Sequence, residues 1–150
     1  MEETGRYLVN FDTAELEQEE VPYLVVGSGV AGLYTACAAA RGGERVAVVT
    51  KSAVDDTTTA HAQGGVAAAI GAEDDPAYHL ADTMAAGAGL ADEEAVRVLV
   101  AAARARIDDL VGIGARFDCT DGVLDLGREG AHSRSRVVHA GGDATGAEIQ

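Results

Sequence analysis

Gly27-Ser28-Gly29-Val30-Ala31-Gly32 spells G-x-G-x-x-G, a spacing suited to a backbone cradle for a pyrophosphate. The first glycine makes a tight turn, the second lets backbone approach the phosphates, and the third allows a helix to pack closely on a strand. Amide N–H groups and the positive end of the following helix then face the anion. A second concentration of chemistry lies far downstream. Arg128, Glu129, His132, Arg134, Arg136 and His139 stand close together in a chain whose acidic residues outnumber Lys and Arg by 25 to 11. Cations gathered in this way suit a ligand with more than one carboxylate, since each needs charge-assisted donors. Arg134 and Arg136 read as exposed alternations on an edge strand, whereas Glu129 and His132 are the stronger candidates for contact with a substrate.

A glycine motif of this kind is informative only between a strand and a helix. Val21-Pro22-Tyr23-Leu24-Val25-Val26 is a short apolar run without polar alternation, which predicts a strand buried on both faces of a parallel sheet. From Val30 to about Arg41 the chain is rich in Ala and Leu, and Gly42-Gly43 supplies the stop. Arg45 to Thr50 predicts a second buried strand. Strand, helix and strand fit a right-handed βαβ crossover, so the fold class is α/β, a Rossmann-type domain with a parallel sheet. At the tip of the second strand, where many such domains carry Asp or Glu for ribose hydroxyls, stands Thr50-Lys51. Lys51 admits a 2′-phosphate, and so NADP, as readily as FAD, and spacing alone does not choose.

Ser52 to Gln63 and Gly64 to Ile70 read as a functional loop of small and polar residues. Asp75-Pro76 starts a helix to about Ala86, and a longer amphipathic helix runs from Asp92 to about Val111, with Ala95, Val98, Leu99, Ala102, Ile107 and Leu110 at helical spacing. Asp143 to Gln150 reads as a helix start without a stop signal, which makes residues 21–150 the front part of a domain left incomplete at the C-terminus.

The net charge of -14 argues against nucleic acid and against an anionic membrane surface. Seven acids fall among residues 1–20, which predicts an acidic, mobile lead-in. Cys37 and Cys119 lie far apart with no ligand spacing, so neither a disulfide framework nor a zinc site is expected. The absence of a leader pattern and of a long apolar run points to the cytoplasm.

Thr57-Thr58-Thr59-Ala60-His61-Ala62-Gln63-Gly64-Gly65 resembles the second flavin-contacting loop of the succinate dehydrogenase, fumarate reductase and L-aspartate oxidase superfamily, where a hydroxyl-rich run leads into A-[QE]-G-G. Thr50-Lys51 belongs to the same pattern. The resemblance implies FAD, held by Gly27, Ser28, Gly29, Val30, Ala31, Gly32, Lys51, Thr58, Thr59, Ala60, His61, Ala62, Gln63, Gly64 and Gly65. Respiratory members place a covalently linked histidine where this chain has Thr58, so non-covalent FAD is implied, with His61 an ordinary residue of the loop.

His79 to Leu90 is similar to a D-T-x-x-A-G-A-G run of the L-aspartate oxidase branch. Leu126-Gly127-Arg128-Glu129-Gly130-Ala131-His132-Ser133 is similar to its T-R-E-G-G-H-S segment, with Gly127 and Ala131 as departures. That branch oxidises L-aspartate to iminoaspartate, passes hydride to the flavin and reoxidises it with oxygen or fumarate. Its product goes to quinolinate synthase on the route to NAD. By resemblance Glu129 meets the substrate ammonium and His132 joins it in the catalytic set. The proton-accepting arginine, the capping domain and the C-terminal helical domain lie beyond Gln150, so residues 1–150 alone are expected to be inactive. Rival readings are an NADP-dependent reductase, a soluble fumarate reductase or succinate dehydrogenase-like flavoprotein, and a non-catalytic FAD-binding remnant.

Overall fold

β-Branched and aromatic side chains make Tyr23–Val26 (β1) and Val46–Val49 (β2) extended, and the two pair in parallel with Tyr23 opposite Val46 and Val26 opposite Val49. Between them the Ala-rich helix Val30–Ala40 (α1) crosses over, completing the expected βαβ unit. The computed structural model describes residues 12–150. Most of the predicted acidic lead-in, residues 1–11, lies outside the described residues. Beyond it a single 3-10 turn forms at Thr13–Glu15, and Glu19 meets Arg45 at 2.6 Å on the surface.

One expectation about this unit is corrected. The strands are not buried on both faces: Leu24 is 59% exposed, Val26 80% and Val49 52%. Among the described residues β1 and β2 pair only with each other, and α1 is the helix packed on them. A parallel sheet is buried only when helices cover both of its faces.

The hydrophobic core sits elsewhere, around Val137–Val138 (β6). This strand pairs antiparallel with Val66–Ala67 (β3) on one side and bridges to Gly127 on the other. The segment from Gly64 to Ile70, expected as loop, therefore contains a strand, one too short to show a period in sequence. The core joins Ala68, Ile107, Phe117, Val138 and Ala140. Pro76–Ala86 (α2) and Glu93–Ile113 (α3) pack on each other and begin at Asp75 and Asp92, whose carboxylates accept from Ala77 N and Ala95 N at 2.8 Å each. The buried stripe of α3 runs through Val96, Val100, Ala103, Ile107 and Leu110, while Val98 and Leu99 are 63% and 61% exposed. Ile107 and Leu110 lie on the buried face as predicted. In the first half of the helix the buried positions are displaced by one residue, from Ala95, Leu99 and Ala102 to Val96, Val100 and Ala103, because α3 carries two apolar stripes there and only packing selects between them. Cys119–Thr120 (β4) and Val123–Leu124 (β5) form a hairpin, and Thr145–Ile149 (α4) closes the described chain. Both cysteines are free and exposed. Among the described residues no helix is long and apolar enough to cross a membrane.

Candidate functional site

The turn between β1 and α1 opens onto a cleft of about 840 Å³ lined by Val26, Gly27, Ser28, Gly29, Val49, Thr50, Lys51, Asp56, Thr57, Thr58, Thr59 and His61. Gly27 has φ +106°, a backbone angle that a side chain would strain. A Cβ at Gly32 would overlap the Gly27 carbonyl, so the helix can close on the turn only with glycine there. Ser28 Oγ donates to Thr50 Oγ1 at 3.0 Å and Gly27 N donates to Val49 O at 2.8 Å, which ties the glycine turn to the tip of β2.

Helix α1 begins differently from α2 and α3. Gly29 is its N-cap and offers no side-chain acceptor, and no acidic residue stands in its first turn. Instead, Val30 N donates to Thr59 Oγ1 at 3.1 Å across the cleft. The following amides lack a capping carboxylate, so the positive end of the dipole remains available to an anion. Lys51 lines the same cleft from the strand tip. A diphosphate bridging a nucleoside and a second group fits this arrangement of donors, space and charge.

The threonine loop folds back on itself. Thr57 O accepts from His61 N at 3.3 Å and lies 2.7 Å from His61 Nδ1, while Ala60 N donates to Thr57 Oγ1 at 3.0 Å. The His61 ring is thus engaged by its own loop. Beyond it Ala62 O accepts from Gly146 N at 2.9 Å, and Gln63 and Gly64 are exposed. Gly65 packs away from the cleft, against β6 and His139. Gln150 bridges the two halves of the cleft, donating to Ser28 O and accepting from Thr57 Oγ1, each at 2.8 Å. Nothing in the sequence distinguished this residue.

The downstream basic cluster is resolved into parts with different duties. Arg136 is neither exposed nor on an edge strand: it is fully buried immediately before β6, and both oxygens of Asp74 and one of Asp82 accept from it at 2.7–2.9 Å. Asp82 also accepts from Ser133 N and Oγ at 2.7 and 2.8 Å. The loop from 126 to 135 is thereby fastened to α2. Arg134 stays at the surface, with its guanidinium 5.0 Å from the Tyr78 ring centre. The missed signal was a charged residue beside the apolar pair Val137-Val138, with acids at 74 and 82 spaced about two helical turns apart.

Ser133 N–H, the Ser133 hydroxyl and Arg136 outweigh the burial of Asp82 and hold its carboxyl down at about 2. For Asp74, burial would raise the pKa, but its bonds to Arg136 and to Asp75 N leave it lowered. Asp74 in turn raises Arg136 against the effect of burial. His79, 4% exposed, is lowered by burial and by the nearby Arg136 and His132, and its Nδ1 has no hydrogen-bond partner. A carboxyl depressed on folding contributes stability that is present above its unfolded value and lost as pH falls through its folded value. Acid sensitivity from Asp82 should therefore develop from about pH 4 to about pH 2. Thermal midpoints of the full-length protein measured across that range should fall less steeply in Asp82→Asn than in the parent; parallel slopes would remove Asp82 from this role.

Glu129 Oε1 lies 2.9 Å from His139 Nε2, and His132 N donates to Glu129 O at 3.2 Å. His132 is half-buried, its ring 5.6 Å from that of His79 and its Nδ1 3.4 Å from Arg136. Glu129 and His132 are therefore brought into one loop, and Gly65 connects that loop with the threonine segment through His139.

Residues 23–150 match the family described as FAD binding domain; the chain belongs to that family, and its cofactor is FAD. Within it, the sequence is similar to L-aspartate oxidases. It is 56% identical over 127 residues to the L-aspartate oxidase of Streptomyces coelicolor, covering 84% of this chain and 22% of that protein. Among solved structures, it superposes on Mycobacterium smegmatis Sdh1 in complex with UQ1 with a TM-score of 0.83 and 38% identity, covering 89% of this chain and 23% of that one. A quinol fumarate reductase FrdA variant from E. coli gives a TM-score of 0.81 and 30% identity, over 86% of this chain and 22% of that one. The chain spans about a quarter of the length of the relatives it matches.

Proposed function

We propose that this chain is the FAD-binding front part of an enzyme that oxidises L-aspartate to iminoaspartate, the first step of de novo NAD synthesis by way of quinolinate. The observation that carries the reading is the Glu129 carboxylate, bonded to His139 and exposed enough to receive a ligand, in a chain similar to L-aspartate oxidases over most of its length. L-aspartate differs from succinate by an ammonium group, and a carboxylate set to meet that charge selects for it.

Gly27, Ser28, Gly29, Val30, Ala31 and Gly32 bind the FAD diphosphate in this reading, with Lys51 adding charge. Thr58, Thr59, Ala60, His61, Ala62, Gln63, Gly64 and Gly65 form the loop toward the ring system. When bound, FAD supplies the hydride acceptor. Thr58 at the loop start offers a hydroxyl and no imidazole, which supports non-covalent binding. Glu129 orients the substrate through its ammonium, and His132, held beside Arg136, meets a substrate carboxylate. In this reading the proton acceptor, the capping domain and the C-terminal helical domain correspond to the parts of the relatives that this chain does not cover. Oxygen or fumarate accepts the electrons, and quinolinate synthase consumes the product in the cytoplasm. A soluble fumarate reductase is the second reading, supported by the likeness to fumarate reductase FrdA.

In the full-length protein, Glu129→Gln should raise the KM for L-aspartate roughly tenfold or more while altering fumarate reduction with a reduced dye by less than about threefold. Equal losses in the two assays would end the assignment of Glu129, and turnover of fumarate without turnover of L-aspartate in the parent would favour the second reading.

A further inference from the structure

Alternation along a strand sends Arg136 and Val138 to one side of β6 and Val137 and His139 to the other. The first side holds the buried ion pairs and the core; the second faces the two loops that matter for function. His139 stands between them. A Cβ at Gly65 would lie 2.8 Å from His139 Nε2, and a Cβ at Gly127 would lie 3.1 Å from His139 Cε1. The Nε2–Cε1 edge of the imidazole therefore lies close to backbone of both Gly65 and the substrate loop, with no room for a side chain at either glycine. Its Nε2 meets Glu129 Oε1 at 2.9 Å, and among the described residues no other side chain bonds that carboxylate. Since a carboxylate only accepts, Nε2 carries the proton and donates it.

We propose that His139 is a positioning residue for substrate selection, fixing one oxygen of Glu129 so that the other is presented beside the Gly64-Gly65 turn. The proposal rests on the reading of Glu129 as the partner of the substrate ammonium. His139 acts through Glu129 and has no contact of its own with substrate. Left unheld, a side chain that is 52% exposed samples several rotamers, and the ammonium must then order it on binding. The cost appears in ground-state recognition of the amino group, and a ligand without that group does not meet it.

The test uses the full-length protein with FAD bound. His139→Leu should raise the KM for L-aspartate roughly tenfold with kcat changed less than about threefold. Succinate, a dicarboxylate without the ammonium, should keep its inhibition constant within about twofold. His139→Gln, whose amide can still donate to Glu129, should recover most of the loss. If His139→Leu does not retain FAD, His139→Asn, too short to reach the carboxylate, takes its place beside His139→Gln. Equal weakening of L-aspartate and succinate, or a Gln variant no better than the one that cannot donate, would overturn the proposal. Adding the His139 change to Glu129→Gln should cause little further loss. A large effect of Glu129→Gln with none from His139→Leu sinks this inference alone, whereas no effect of Glu129→Gln on L-aspartate sinks the reading beneath it.

Discussion

Arg136→Met should destabilise the full-length protein by about 3–5 kcal/mol at neutral pH, the range for removing one partner of a buried ion pair. Methionine is of similar length and can fill the space, so the loss comes from charge and not from a cavity. Asp74 and Asp82 are left with side chains only 2% and 16% exposed and no guanidinium to offset their desolvation. Each keeps other donors, Asp75 N for Asp74 and Ser133 for Asp82, which limits the damage to the charge itself. Denaturant unfolding of variant and parent checks the magnitude. The deficit should shrink in acid as the carboxylates take up protons, since a protonated acid no longer needs the cation. A loss below about 1 kcal/mol, in the range of an exposed pair, would show that the network contributes as a surface salt bridge does. The functional consequence is local: the loop bearing Glu129 and His132 loses its anchor to α2, so weakened L-aspartate binding should accompany the instability.

Gly29→Asp should abolish retention of FAD while leaving the unliganded protein about as stable as the parent. Gly29 is the N-cap of α1 with φ -68° and ψ 172°, extended backbone that any residue adopts. Asp is a favoured N-cap, and a carboxylate there would satisfy the helix-start amides that no side chain of the cap reaches in the parent. A Cβ at this position would come 3.3 Å from Thr59 Oγ1, a contact the threonine can relieve by a small shift. The same carboxylate that caps the helix would take the place proposed for a phosphate and repel it. Purified protein should lack flavin absorbance, with a thermal midpoint close to that of parent protein stripped of FAD. Retained yellow colour would mean that the diphosphate does not sit at this helix start, and collapse of the unliganded protein would mean that the glycine serves the fold instead.

The βαβ unit was legible because its signals are local. An apolar run, a glycine turn and an alanine-rich helix with a glycine stop specify strand, turn and helix from neighbours within a few residues. The Asp75 and Asp92 caps belong to the same class, and the helices begin where these residues predict. Gly65 beside His139 was not legible, because a close approach between positions 65 and 139 leaves no mark on either neighbourhood. The exposed face of α3 was misread for a related reason. Val98 and Leu99 are as apolar as Val96 and Val100, and the choice of stripe belongs to α2 and the core.

Residue chemistry by itself specified a glycine turn leading into a helix start, and singled out Glu129 and His132 as candidates for contact with a charged ligand. Only the tertiary structure decided what the neighbouring charges do. Arg136 read as an exposed cation on an edge strand, yet the fold buries it against Asp74 and Asp82, because a guanidinium buried beside a core strand must be neutralised within hydrogen-bonding distance. The sign and spacing of a charge are written in the chain; its partner is set by what packing brings within 3 Å.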